Sequence, residues 1–243
     1  MTGEHTRTVH RADSGRAYRG IPVHAAEGVH AHAQALAARL LPPGARILDV
    51  GSGSGGLAAR LHDAGFDVLA SELDTTDYRA EPPVVQWDAA GAELPPGVSP
   101  SEFDCVCAVE MLEHVENPRQ ALRNFFTVLR PSGVLITSTP NVGHPRSRLK
   151  FLLRGAPSYF GRAEYYGSGH TTLLPDWMLE LHVKGAGFEH VSIEYAGSLG
   201  LSGKQHMAYR LLEPALAALK LLPSPRTGDG CVTFVIGRKP SQA

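Results

Sequence analysis

The glycine-rich segment ILDVGSGSGG, residues 47–56, constrains the fold of this chain more than any other feature. It begins with a short apolar run that predicts a buried strand, and it leads directly into the helical spacing of residues 56–65. Gly51 permits a tight turn after the strand, and Gly53 lets the backbone approach a ligand closely. Strand, glycine loop and helix N-terminus in this order predict an α/β fold that holds a ligand at the loop.

Strands and helices alternate on both sides of this loop. Seven apolar, β-rich runs predict strands at 45–50, 67–72, 84–87, 103–109, 133–139, 190–196 and 231–239. Helical patterns or capping signals predict helices at 25–41, 56–65, 117–131, 146–155 and 175–187. Because the strands are continuously apolar, we expect a parallel sheet with helices on both faces.

The length of 243 residues fits one domain, and the net charge of −1 gives no sign of a DNA-binding protein. Residues 1–20 are polar and predict a flexible N-terminal arm, which leaves 21–243 as a single domain. The segments at about 140–170 and 197–228 follow no clear pattern and are interpreted as insertions on the acceptor side. Three cysteines and no apolar stretch of the ~18 residues needed for a membrane span predict a reduced, cytoplasmic protein.

Two acids near the glycine loop favour a particular kind of ligand. Asp49 lies inside the first apolar strand, where an ionised side chain is costly unless it is paired. Glu72 ends the second strand, the position from which an acid binds ribose hydroxyls in such sheets. The glycine spacing alone also fits a dinucleotide site, but Asp49 favours a cationic ligand such as S-adenosylmethionine.

Four segments, ILDVGSGSGG, FDCVCAVEMLEHVENP, LRPSGVLITSTPN and CVTFVIG, together resemble class I S-adenosylmethionine-dependent methyltransferases. The likeness is to small-molecule enzymes of the ubiquinone-biosynthesis type. It implies a Rossmann-like three-layer sandwich with a seven-stranded, mostly parallel sheet whose last strand is antiparallel. It also implies that S-adenosylmethionine is the cofactor, with Glu72 on the ribose, Asp88 on the adenine amino group and Ser52 where a cysteine is common. The implied cofactor-binding residues are Asp49, Gly51, Ser52, Gly53, Glu72, Leu73, Asp88, Ala89 and Glu110.

Methyl transfer to a hydroxyl, the reaction expected here, needs a group that takes the proton. His114 is the first candidate because it follows the fourth strand at the carboxyl edge of the sheet, where ligands bind. Glu113 would assist it, and His170 is the alternative. No sequence motif for a metal is found, so no metal is predicted. Three further histidines have two interpretations, a lid that contacts the cofactor or, preferred, a solvated helix face: His24, His30 and His32.

The acceptor is expected to be a small molecule, and two interpretations of the basic segment remain open. Arg146, Lys150 and Arg154 share one helix face, which fits either a phosphate- or carboxylate-bearing acceptor or a solvated amphipathic helix. An apolar helix at 213–222 adds possible peripheral lipid contact, while RNA is disfavoured because no binding module is present. The alternatives in function are an NAD(P)-dependent oxidoreductase and a methyltransferase-like binding protein without activity.

Overall fold

A computed structural model describes residues 17–198, 214–215, 217–218 and 230–241. The chain enters through a small antiparallel hairpin of β1 (Ala17–Tyr18) and β2 (Ile21–Pro22). Residues 17–20, assigned to the arm from the sequence, are therefore part of this hairpin. Most of the predicted 197–228 insertion and of the helix at 213–222 lies outside the described residues.

Seven further strands form one sheet, as the sequence predicts. They are β3 (Arg46–Val50), β4 (Asp67–Glu72), β5 (Val84–Gln86), β6 (Phe103–Ala108), β7 (Leu129–Pro140), β8 (Glu189–Ala196) and β9 (Val232–Arg238). Their order in the sheet is β5-β4-β3-β6-β7-β9-β8. β9 runs antiparallel to both of its neighbours and the other pairs are parallel, which confirms the predicted mostly parallel sheet.

Helices cover both faces of this sheet. They are α1 (Val29–Leu40), α2 (Gly56–Asp63), α3 (Pro118–Val128), α4 (Pro145–Arg154), α5 (Arg162–Gly167) and α6 (Asp176–Gly185). α1 and α2 bury one apolar cluster with Ile47, whereas α3 and α6 bury another with Leu48, because successive strand side chains point to opposite faces. No helix within the described residues is long and apolar enough to cross a bilayer.

Two element boundaries differ from the sequence prediction, each for a local reason. The first helix begins at Val29 behind Gly28, whose φ of 83° ends the preceding extended segment, and not at residue 25. The helix predicted to reach Pro131 ends at Val128, because the buried Leu129 already pairs with Phe103 and starts β7. Asn117 caps this helix by accepting from the Gln120 amide, with Pro118 in its first turn, as predicted.

The sheet order reverses between β3 and β6, and this point sets the place of the site. β4 and β5 extend from β3 in one direction, and β7 extends from β6 in the other. In open α/β sheets the connections at such a reversal leave a crevice beyond the carboxyl ends of the strands. The glycine loop follows β3 and Glu110 follows β6, so both lie at this crevice.

Candidate functional site

The glycine loop between β3 and α2 is folded tightly under the crevice. Its positive φ values include 71° at Gly51 and 53° at Gly53. A methyl group on Gly51 would lie 2.5 Å from Met111 Cγ, so no larger residue fits there without movement. The Gly51 and Ser52 amides both donate to the Ser71 carbonyl at the end of β4. The loop is thereby held against the neighbouring strand.

Glu72 and Asp88 occupy the carboxyl ends of β4 and β5. Glu72 accepts from the Gly53 amide at 2.8 Å and from the Leu73 amide at 2.9 Å, which fixes its carboxylate beside the glycine loop. Asp88 is exposed and accepts from the Ala90 amide. Ala89 is buried beneath it, and its carbonyl accepts from the Asn124 side chain of α3 at 2.9 Å. Hydrogen bonds thus position both acids before any ligand arrives.

Asp49 is a buried acid directly below the loop. Burial, followed by the nearby Glu72 carboxylate, raises its pKa to about 7, against the lowering effect of the Ala58 amide. One carboxylate oxygen, Oδ2, has no hydrogen-bond partner in the part of the chain that the structure describes. Within the described part of the chain no positive charge compensates an ionised Asp49, and a cationic ligand at the loop would supply one.

Glu110 follows β6 on the opposite side of the crevice, in a strained conformation. Its φ of 51° is uncommon for a non-glycine residue, and its amide donates to Ser138 Oγ at 3.0 Å. Burial raises the pKa of its carboxyl to about 7, although the Ala26 amide donates to Oε2 at 3.3 Å. Strain of this kind is found where the backbone aims a side chain at a functional position.

Glu113, His114 and His170 form a second group at the same edge. Their ligating atoms all lie within 4.8 Å of one another, and the two imidazole rings meet edge to face at a centroid distance of 4.8 Å. Burial, then the Glu110 charge, raises the pKa of Glu113 well above its usual range. Burial, then His170, lowers the pKa of His114 to about 4, although the residue is accessible to solvent.

This group is a plausible donor set for a divalent cation. Neither carboxylate oxygen of Glu113 makes a well-formed hydrogen bond with the described residues, although the Thr139 hydroxyl lies close enough to favour the ionised form. His170 Nδ1 contacts the Tyr159 carbonyl at 2.7 Å, which leaves its Nε2 for a ligand. One carboxylate and two imidazoles suit zinc or another transition metal. The sequence analysis named these three residues for proton transfer but predicted no metal, because His170 is remote from Glu113 along the chain and the set follows no metal-binding motif.

The comparisons with known proteins agree with this geometry. The model of the family described as "Methyltransferase domain" matches residues 24–193, which contain the glycine loop and both groups of acids. The chain belongs to the methyltransferase domain family. This membership confirms the resemblance inferred from the sequence and, with it, the predicted donor, S-adenosylmethionine. The match gives no support to the alternative interpretation, an NAD(P)-dependent oxidoreductase.

Curated relatives match slightly less than half of this chain. The ubiquinone biosynthesis O-methyltransferase of Xanthomonas campestris pv. campestris (strain B100) is 36% identical over 113 residues, which are 44% of this chain and 47% of the relative. That of Aeromonas salmonicida (strain A449) is 32% identical over 117 residues, 45% of this chain and 49% of the relative. The matched part therefore spans about half the length of these relatives.

Solved structures share the fold over a longer stretch. A SAM-dependent methyltransferase from Archaeoglobus fulgidus has a TM-score of 0.59 at 16% identity, covering 86% of this chain and 94% of that one. The Haemonchus contortus phosphoethanolamine N-methyltransferase 2 in complex with S-adenosyl-L-methionine has a TM-score of 0.56 at 19% identity. The likeness covers 86% of this chain and 52% of that one. These likenesses confirm the predicted Rossmann-like fold.

The segment that follows β7 brings further side chains to the crevice. Burial, then Cys231 and Glu110, raises the pKa of the Tyr159 phenol, and Arg146 acts in the opposite direction. Tyr159 therefore lies within electrostatic range of these three side chains. Tyr159 itself has a φ of 66°, a second strained residue of the site. Arg146 is half-buried, and both interpretations of its helix, an anionic-acceptor site and a solvated face, stay open.

The N-terminal segment lies against the glycine loop, which fits the alternative that its histidines contact the cofactor from a lid. His24 Nε2 lies 3.3 Å from Ser54 Oγ, and burial lowers the pKa of His30 to about 4. His32 pairs with Glu194 at 3.2 Å and meets the ring of Phe234. The interpretation of these histidines as a solvated helix face is therefore wrong for His30 and His32. The only signal in the sequence was their clustering just before and within the first helix.

Proposed function

We propose that this chain transfers the methyl group of S-adenosylmethionine to a hydroxyl group of a small molecule. The observation that carries this proposal is the glycine loop above Asp49, a buried acid without a compensating charge, in a chain of the methyltransferase domain family. The donor is positively charged at its sulfonium, so it complements the acids at the crevice. Its methyl group is already activated, and the protein chiefly has to position the acceptor for in-line displacement.

The cofactor-binding residues are proposed from their positions at the carboxyl edge. The glycine loop at Gly51, Ser52 and Gly53 would lie close to the methionine part, with Glu110 opposite it. Glu72, held by two backbone amides, would accept from the ribose hydroxyls, next to Leu73. Asp88 and the buried Ala89 would bind the adenine, and Asn124 supports their loop from below.

The acceptor hydroxyl has two candidate routes of activation, and both use residues of the same group. In the first, His114, whose pKa is lowered to about 4, is neutral near pH 7 and would accept the proton of the acceptor, with the His170 ring in edge-to-face contact beside it. In the second candidate, Glu113, His114 and His170 hold a divalent cation, which supplies Lewis-acid activation of the hydroxyl when bound. The close approach of their ligating atoms favours this second candidate.

The proposed acceptor carries a negative group. Arg146 on α4 lies within electrostatic range of Tyr159 at the crevice, and the sequence between Glu116 and Glu164 contains no acid. An arginine binds carboxylate or phosphate through two parallel hydrogen bonds.

The three buried thiols, Cys105, Cys107 and Cys231, fit a reducing compartment, and we propose that the enzyme acts in the cytoplasm.

Methyl transfer from labelled S-adenosylmethionine to a panel of small hydroxylated acids tests the proposal. We expect a methyl ether product and S-adenosylhomocysteine in equal amounts. The assay is repeated after EDTA treatment and after addition of Mg²⁺, Mn²⁺ or Zn²⁺. Activity that EDTA removes and a metal restores would select the cation over the histidine base. Donor binding by calorimetry without transfer to any acceptor would favour the inactive, methyltransferase-like binding protein.

A further inference from the structure

The last turn of α4 projects away from the body of the protein. Phe151, Leu152 and Leu153 are between 56% and 73% exposed, and Arg154 is exposed as well. Successive helical residues are about 100° apart, so four in a row face almost every direction around the axis. Gly155, with φ 69°, ends the helix, and a methyl group there would meet nothing within 4 Å. The structure therefore leaves these apolar side chains uncovered.

A second exposed apolar pair lies beside this turn. Tyr165 and Tyr166 on α5 are 53% and 79% exposed, with their rings in edge-to-face contact at 5.3 Å. The pair is next to α4 because Lys150 Nζ lies 3.4 Å from Glu164 Oε1. We name the exposed side chains of both helices the apolar tip: Phe151, Leu152, Leu153, Tyr165 and Tyr166. Apolar side chains gathered in this way on a protein surface indicate an interaction site.

The charges around the apolar tip are positive. Arg148, Lys150, Arg154 and Arg162 belong to the same two helices, and their one acid, Glu164, is paired with Lys150. Arg154 and Arg162 are exposed, whereas Lys150 and Arg148 are half-buried at the base of the projecting turn. The partner of the tip must therefore combine an apolar interior with a negatively charged surface.

We propose that the apolar tip docks the enzyme on the surface of an anionic lipid bilayer. The phenylalanine and leucines would enter the acyl region, the tyrosines would lie at the headgroup level, and Arg154 and Arg162 would bind lipid phosphates. A second copy of the chain fits less well, because it would bring the same positive charges together. An RNA would match the charge but leave Leu152 and Leu153 in water.

Docking in this orientation places the active site next to the membrane. The same segment that carries the apolar tip supplies Tyr159 and His170 to the crevice. An acceptor that partitions into the bilayer would thus meet the enzyme where it docks. The docking itself requires neither methyl transfer nor a particular acceptor, so its test is independent of the proposed activity.

Vesicle flotation of the full chain tests the proposal. Vesicles of phosphatidylcholine are compared with vesicles containing about 30% phosphatidylglycerol, at low and at high salt. We expect at least tenfold stronger partitioning to the anionic vesicles, reduced at high salt. The double variant Leu152→Ser/Leu153→Ser should lose at least tenfold of this binding, and Arg154→Gln/Arg162→Gln should lose the preference for anionic lipid.

The matched control is Leu181→Ser on α6, since Leu181 is 57% exposed and lies outside the apolar tip. It should bind vesicles like the parent protein. All variants alter exposed side chains, and equal thermal melting and equal S-adenosylmethionine binding verify their folding. Three results would overturn the proposal: no binding to anionic vesicles, equal binding by the double leucine variant, or a loss of dimerisation or RNA binding in that variant while vesicle binding stays unchanged.

Discussion

Asp49→Asn tests how the donor is recognised, through the pH dependence of S-adenosylmethionine binding. In the ligand-free protein the pKa of Asp49 is about 7, so much of this carboxyl is protonated near neutral pH. A cationic donor binds the ionised form better and lowers this pKa. Because the ionised fraction falls tenfold per unit below the pKa, affinity between about pH 8 and about pH 6 should fall about tenfold.

The asparagine variant should lose this dependence. At about pH 8 we expect it to bind the donor tenfold or more weakly than the parent, since a charged partner is worth ~1.5–3 kcal/mol. At about pH 6 the two affinities should converge. Calorimetry in buffers of different ionisation enthalpy measures both the affinity and the protons released. Glu110→Gln is measured in the same way, because the pKa of Glu110 is also about 7. This variant separates the contribution of Glu110 to the pH dependence of donor binding from that of Asp49.

The stability of the ligand-free protein gives a second readout with a defined sign. The pKa of Asp49 is raised on folding, so its contribution is fully present below about pH 4 and is lost as the pH rises through about 7. Asp49→Asn should therefore gain stability over the parent at high pH, by at most about 4 kcal/mol. A parent affinity that does not change with pH, or a variant that keeps the parent's slope, would refute the reasoning.

Three further predictions concern the loop, its support and the proton. Gly55→Ala adds a methyl group 2.5 Å from Ala80 Cβ at φ 91°, whereas the methyl group of Gly65→Ala, at φ 88°, meets nothing within 4 Å. In urea denaturation, Gly55→Ala should lower the free energy of unfolding by about 1–3 kcal/mol more than Gly65→Ala. Asn124→Ala removes two 2.9 Å bonds to the Asp88 loop and should cost about 1–3 kcal/mol. His114→Ala should lower turnover about 100-fold or more with donor affinity unchanged by calorimetry, and surviving turnover would exclude His114.

The sheet and the donor side could be predicted from local patterns in the sequence. Each strand is a continuous apolar run, and the carboxyl ends of parallel strands meet at one edge, which brings Glu72 and Glu110 to the glycine loop. The boundary at Leu129 was missed because its pairing with Phe103 is a tertiary contact that helical spacing does not reveal. The residues beside the glycine loop could thus be predicted, because the order and direction of the strands alone determine their positions.

The contact between His170 and His114 could not be predicted, because irregular backbone positions it. His170 reaches His114 through Thr171 and Thr172, whose amides donate to the Glu113 carbonyl at 2.9 and 3.0 Å. Such bonds have no period in the sequence. The sequence pattern also did not predict that Leu152 is exposed, since a leucine in an amphipathic helix normally packs against the core.

The acids at the crevice cost the ligand-free protein stability and give the donor its binding energy. Asp49, Glu110 and Glu113 all have raised pKa values for the same leading reason, burial. A cationic ligand removes part of this penalty, so donor binding and folding are coupled through the same groups. At a concentration 100 times its Kd the donor stabilises the fold by about 2.7 kcal/mol, and a Kd that falls as the pH rises makes this gain larger at fixed concentration. The donor should therefore stabilise the fold most at the pH at which the ligand-free site is weakest.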